Sequence, residues 1–208
     1  MCVMISKNDR PDRELRLGDV ARLFAGASTS RSENPDGIPF AVVGVRHLDD
    51  GLVTPLAELD IMSFSSEARA LPFQLQEGDV LITGRGTVLK FGIVGTETAG
   101  AIASGNIIIV RPAPPVRGEV LFAILSSEGF RPKIEVLQRG ATTLLSLSPK
   151  DLAKLEISLP PFEEQDLISE FVRASLATYS AAIRAATARR TLARSVLNTR
   201  LFGTKKKD

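Results

Sequence analysis

Histidine and cysteine carry most of the acid–base, nucleophilic and metal chemistry done near neutral pH, and this chain has one of each, His47 and Cys2. A single cysteine excludes an internal disulfide framework and any multi-cysteine zinc site, and a single histidine leaves a His-based metal centre short of ligands. His47 could act as a general base. Beside Arg46 at the end of a strand-like run, it fits a surface or contact residue better. Gly84-Arg-Gly86 follows another strand-like run, but no third glycine opens a helix and no acidic residue follows at the distance a dinucleotide ribose needs. No Gly-x-x-x-x-Gly-Lys-Ser/Thr loop is present. Asn34-Pro35 continues as Asp-Gly rather than as the Pro-aromatic pair of an amino-methyltransferase, and no nuclease-type Glu-x-Lys follows a Pro-Asp. With no convergent acid, base and nucleophile, the chain reads as a non-enzyme with no metal and no cofactor of its own.

The elements that would position these residues are strand-rich up to about residue 160. Leu17-Gly-Asp-Val20 begins a short element, and residues 40–45 are strand-like. Residues 26–37, GASTSRSENPDG, are too rich in Ser, Asn, Gly and Pro to be regular. Residues 79–83, 91–94 and 107–110 are β-branched runs separated by glycine-bearing turns, as in a twisted or barrel-like sheet. Helical character returns at 119–127 and 134–138. Ser148 then reads as an N-cap with Pro149 at the first helical position, giving one turn before a last strand.

That strand ends at Pro160-Pro161, because proline cannot donate to a ladder, and Phe162-Glu163-Glu164 puts carboxylates where a helix N-terminus favours negative charge. A helix then runs unbroken to about residue 203. Its apolar positions Val172, Leu176, Tyr179, Ile183, Ala186, Ala193 and Leu197, with Arg190 between the last two alanines, step alternately by four and three, the seam of a coiled coil. At about 1.5 Å per residue the helix spans roughly 60 Å, so it is expected to project and to pair with another helix. Acids cluster at its start and bases at its end, which suits the helix dipole and leaves cations for phosphates or an acidic partner.

Composition agrees with a cytoplasmic protein. The 44% hydrophobic content supplies a core, no apolar run reaches the about 18 residues of a membrane span, and MCVMISKNDR lacks the form of a signal peptide. A net charge of +2 with a pI near 8.8 says little by itself about nucleic acid.

Taken in order, several segments carry a resemblance: Leu17-Gly-Asp-Val20, Gly78-Asp-Val-Leu-Ile-Thr-Gly-Arg-Gly86, Ser104-Gly-Asn-Ile-Ile-Ile-Val-Arg111, Gly140-Ala-Thr-Thr143, Leu147-Ser-Pro-Lys-Asp-Leu152 and Leu159-Pro-Pro-Phe-Glu-Glu-Gln165. The chain resembles half of a type I restriction-modification DNA specificity subunit, from about Leu15 to Phe202. A usual member carries two recognition domains and two helical regions, and this sequence has one of each. The resemblance implies an α+β fold: a target recognition domain over 1–161, a dimerisation and spacer helix over 162–203 pairing as an antiparallel coiled coil, and a basic tail over 204–208. It implies a DNA-reading subunit that directs a separate adenine methyltransferase, which binds S-adenosylmethionine, and in some systems a separate nuclease-translocase. A homodimer would rebuild the two-domain layout and read a bipartite, palindromic site in double-stranded DNA.

Base readout needs forked or multi-donor side chains, and phosphate anchoring needs cations, hydroxyls or free backbone N–H groups. The candidates are Arg31, Arg46, His47, Arg85, Lys90, Arg131, Lys133, Arg139, Thr142 and Thr143. Gly84 and Gly86 read as required by turn geometry. Two other classes stay open: a scaffold or assembly protein of a defence complex that keeps the fold without reading DNA, and a small enzyme on an unfamiliar β-rich fold.

Overall fold

The computed structural model of the protein describes residues 13–28, 37–137 and 145–203. The chain divides into two compact units, Met1–Glu170 and Phe171–Asp208. The strands are β1 (Arg13–Arg16), β2 (Ala21–Ala25), β3 (Ile38–Val43), β4 (Leu48–Asp49), β5 (Leu52–Val53), β6 (Asp60–Phe64), β7 (Val80–Thr83), β8 (Arg85–Gly86), β9 (Phe91–Ile93), β10 (Ile102–Ala103), β11 (Ile107–Pro112), β12 (Leu145–Ser146) and β13 (Glu156–Leu159). The α-helices are α1 (Leu17–Val20), α2 (Glu67–Ala70), α3 (Gly118–Ser126), α4 (Arg131–Leu137), α5 (Pro149–Leu152) and α6 (Phe162–Phe202). The class is α+β, a strand-rich domain followed by a long C-terminal helix, as the sequence predicts.

The main sheet runs β2-β11-β7-β9 with every pair antiparallel. Among the described residues this order is linear, so the three β-branched runs form an open sheet rather than a barrel. All four residues of β7 and the first four of β11 are buried, which explains continuous apolar runs where a half-exposed strand would alternate. Val80, Ile82, Ile108 and Val110 face one core, shared with Val120, Leu121 and Leu125 of α3, Ile134 of α4 and Ile157 of β13. Leu81, Ile107 and Ile109 face the other, against Val43, Leu48, Leu75 and Val94. Each fully buried aliphatic side chain contributes about 1.5–3 kcal/mol. A second sheet, β10-β3-β6, carries a smaller core in which Phe40 and Phe64 meet edge to face at 5.6 Å. α3 can approach the main sheet because Gly118 has no Cβ: one added there would lie 2.1 Å from the Gly78 carbonyl oxygen.

Antiparallel β1 and β13 join the start of the described chain to the strand that feeds α6. Ser148 caps α5 as expected, its Oγ accepting from the Lys150 N–H at 3.2 Å. At the start of α6 the Pro161 carbonyl accepts the N–H groups of Glu164 and Gln165, and Gln165 Nε2 donates back to the Pro160 carbonyl at 3.1 Å. Arg117 lies over the Phe162 ring and pairs with Asp166, tying that first turn to the loop before α3. Among the described residues no helix is long and apolar enough to cross a membrane.

One buried ion pair, which no local pattern in the residues announces, clamps β11 to the residue just before β7. Asp79, only 1% exposed, accepts two hydrogen bonds from Arg111, from Nε at 2.8 Å and Nη2 at 2.7 Å, and takes the Gln76 N–H as well. Arg111 also donates to the Gln74 carbonyl and lies over Phe24, so its fork is engaged on several sides. Removing one partner strands the other charge in a low-dielectric site. Asp79→Ala should therefore lower the unfolding free energy in urea by about 3 kcal/mol, and Asp79→Leu combined with Arg111→Met should restore most of it. Equal stability of Asp79→Ala and the parent chain would contradict this role.

Candidate nucleic-acid interface

The turns at one end of the main sheet gather four of the sequence-predicted residues. Strand register defines that end: Ile107 lies opposite Thr83, Phe91 opposite Ile82, and Ala25 opposite Ile108. The turn from Gly84 to Lys90 leaves β7 there. Buried Thr83 staples it, its N–H donating to the Lys90 carbonyl at 3.0 Å and its Oγ1 accepting the Lys90 N–H at 3.0 Å. The Asn106 carbonyl takes both the Gly84 and Arg85 N–H groups, at 2.7 and 3.1 Å, and Arg85–Gly86 pairs with Leu145–Ser146. Arg85 is thus held by its backbone from two sides while its side chain is exposed and has no partner among the described residues.

The 3-10 turn Val45–His47 lies alongside, because a Cβ on Gly86 would stand 4.0 Å from Val45 Cγ1. Lys90 Nζ donates to the Leu48 carbonyl at 2.8 Å, which fastens the two turns together and occupies one of the ammonium's three donors. Neither Gly84 nor Gly86 has positive φ, so left-handed turn geometry is not what requires glycine there. Close approach is the constraint at Gly84, where a Cβ would meet Ile108 Cγ1 at 3.0 Å. Gly92 does similar work in β9: a Cβ there would lie 2.8 Å from Val53, so the β4–β5 hairpin can lean on the strand. That hairpin turns at Asp50-Gly51 with φ of 44° and 88°. Such an Asp-Gly pair is a hairpin signal legible in the residues themselves.

Arg46 and His47 do not present themselves alike. Arg46 is exposed and ion-paired with Asp60, the first residue of β6. His47 is turned inward with its side chain 10% exposed, and its Nδ1 accepts the Gly44 N–H at 2.9 Å. Nε2 faces Arg46 Nε at 3.1 Å and Asp60 Oδ2 at 3.5 Å. A neutral ring accepts at one nitrogen only, so the Gly44 N–H, the shorter of the two contacts, and Arg46 Nε compete for it. Burial, and after it the Arg46 charge, hold the His47 pKa below the usual 6.5.

Arg131 and Lys133 lie elsewhere, on the first turn of α4. Lys133 Nζ donates to the Glu156 carbonyl at 3.3 Å and sits over Phe130, so it works within the helical layer, and exposed Arg131 has no partner among the described residues. Arg31, Arg139, Thr142 and Thr143 lie outside the described residues. The seam residues Val172, Leu176, Tyr179, Ile183, Ala186, Ala193 and Leu197 all fall on α6, with Val172 and Leu176 half-buried and Leu197 59% exposed. Asp60, the partner that holds Arg46, stands 14 residues further along the chain, and nothing local in the sequence points to it.

The family model for the type I restriction modification DNA specificity domain matches residues 13–184. The chain belongs to that family. Solved structures agree with the fold. A chain in a structure described as the basis of complex assembly and conformational transition of the type I R-M system is 24% identical, with 94% of this chain and 47% of that one covered and a TM-score of 0.57. The HsdS subunit from Thermoanaerobacter tengcongensis is 21% identical, with 100% and 54% covered and a TM-score of 0.58. The type I restriction-modification S subunit from M. genitalium is 15% identical, with 97% and 48% covered and a TM-score of 0.63. The specificity domain described here therefore spans about half the length of these chains. No curated protein sequence matches it.

The depressed His47 pKa has a measurable consequence. The unfolded ring takes its proton near pH 6.5 and the folded ring at lower pH, so stability due to the neutral ring is complete above 6.5 and is lost as pH falls below it. His47→Asn keeps an acceptor for the Gly44 N–H without titrating. The stability advantage of the parent chain over His47→Asn, measured by urea unfolding, should shrink between about pH 7.5 and about pH 5.5. An advantage that stays constant would show that the ring is not held neutral.

Proposed function

We propose that this type I specificity domain reads DNA sequence as one half of a homodimer, and that it brings a separate adenine methyltransferase to a bipartite, palindromic target. The observation that carries this reading is the gathering of Arg46, Arg85 and Lys90 on backbone-fixed turns at one end of the sheet, in a chain of the DNA specificity family. Arg85 is the foremost base or phosphate contact, since a pinned backbone presents a guanidinium that has no partner among the described residues and suits guanine edges and phosphate oxygens alike. Arg46 serves next and has to leave Asp60 to do so. His47 shapes its turn by holding the Gly44 N–H. Arg31, Arg131, Lys133, Arg139, Thr142 and Thr143 complete the proposed contact set.

In this reading the subunit is not catalytic. S-adenosylmethionine belongs to the methyltransferase, and a nuclease-translocase joins in some systems. The seam of α6 from Val172 to Leu197 pairs two copies antiparallel, one recognition domain at each end, and helix length sets the run of unread bases between two inverted half-sites.

Binding of the complex with its methyltransferase to DNA should weaken steeply as salt rises, because each neutralised phosphate releases counterions. Arg85→Ala should lower affinity for all sequences alike if it touches phosphate, or cost about 1–3 kcal/mol mainly on the cognate site if it reads a base. Unchanged affinity and salt slope on Arg85→Ala would remove this end of the sheet from the interface. Calorimetry of the isolated chain with S-adenosylmethionine should show no heat of binding, and a micromolar Kd would contradict the non-catalytic assignment.

A further inference from the structure

We infer that α6 pairs with a second copy of itself in one register only, set by Arg190 of each copy stacking on Tyr179 of the other. This rests on the homodimer of the proposed function and adds what fixes its alignment. About a two-fold axis between Arg184 and Ala185, Val172 faces Leu197, Leu176 faces Ala193, Tyr179 faces Arg190 and Ile183 faces Ala186, each contact made twice. Every a position then meets a d position, and each seam alanine receives a long aliphatic side chain, as knobs-into-holes packing requires.

Charge complementarity singles out the Tyr179–Arg190 pair. From Phe171 to Phe202 the helix carries Arg173, Arg184, Arg189, Arg190, Arg194 and Arg200 and no carboxylate, so in this register the facing stretch of a second copy offers the seam guanidinium no anion. The one complement in the seam is the ring face of Tyr179, which is 37% exposed. Sliding the helices by one heptad in one direction sets Arg190 against Val172 and Ala193 against Ser169, whose side chain is fully buried within the first unit. Sliding in the other direction sets Arg190 against Ala186 and Leu176 against Arg200. Both slips put a cation on an aliphatic side chain.

The test uses the full chain carrying Cys2→Ser. Leu176→Cys mixed with Ala193→Cys should form a disulfide-linked dimer on mild oxidation, while Leu176→Cys mixed with Ala186→Cys, the pair that one slipped register brings together, should not. In sedimentation equilibrium, Tyr179→Leu and Arg190→Gln should each raise the dimer Kd about tenfold for the two lost stacks, and the double variant should be little worse than either. A cross-link in the second mixture, or fully additive losses, overturns the register while leaving the homodimer standing. A parent chain that sediments as a monomer at micromolar concentration, alone and with the methyltransferase, overturns both.

Discussion

β7 and β11 carry apolar side chains on both of their faces, so neither face of the main sheet can be left to water, and among the described residues of the first unit a separate layer covers each. α3, α4, α5 and β13 supply the cover on the side of Val80, Ile82, Ile108 and Val110. Residues from β3, the β4–β5 hairpin and the segment after β6 supply it on the side of Leu81, Ile107 and Ile109. A strand pair buried on both sides also has a strictly specified register, because a slip of one residue would exchange its two cores. The Asp79–Arg111 clamp makes the same register electrostatic, since both oxygens of the carboxylate just before β7 are matched to the fork of a guanidinium on β11.

That register decides where the cations go. With Thr83 and Ile107 opposite each other, the turn after β7 and the turn before β11 leave the sheet together, and the Asn106 carbonyl can take two N–H groups of the Arg85 turn. The Val45–His47 turn arrives at the same place by a different route, through Gly92 admitting the hairpin and Lys90 bonding to Leu48. The outcome is a set of short turns held by buried backbone contacts. A surface of that kind can hold side chains at fixed positions without relying on the side chains themselves for rigidity.

The second unit follows a different logic. Its helix has no carboxylate after Glu170, so the i,i+4 ion pairs that support many exposed helices are unavailable, and the alanine-rich sequence supplies helix propensity instead. In the proposed pairing of two copies the seam from Val172 to Leu197 therefore holds no carboxylate that could fix an alignment.

Much of this architecture was legible in the residues themselves. The Pro160-Pro161 stop, the acidic first turn and the four-three spacing marked α6, and Ser148-Pro149 marked α5, because capping, proline geometry and helical period act within a few residues along the chain. The β-branched runs marked β7, β9 and β11 for the same reason, and the order of the short motifs pointed to the family. Tertiary structure alone decided which candidates share a surface. It brought Arg46, Arg85 and Lys90 together and set Lys133 apart against Glu156, turned His47 inward, gave Arg46 its Asp60, and used Asp79 and Arg111 as a clamp. Those partnerships join residues from 14 to 42 positions apart or turn on which face of a short turn is buried. No local periodicity encodes such contacts; they exist only once two cores have fixed how the strands lie against one another.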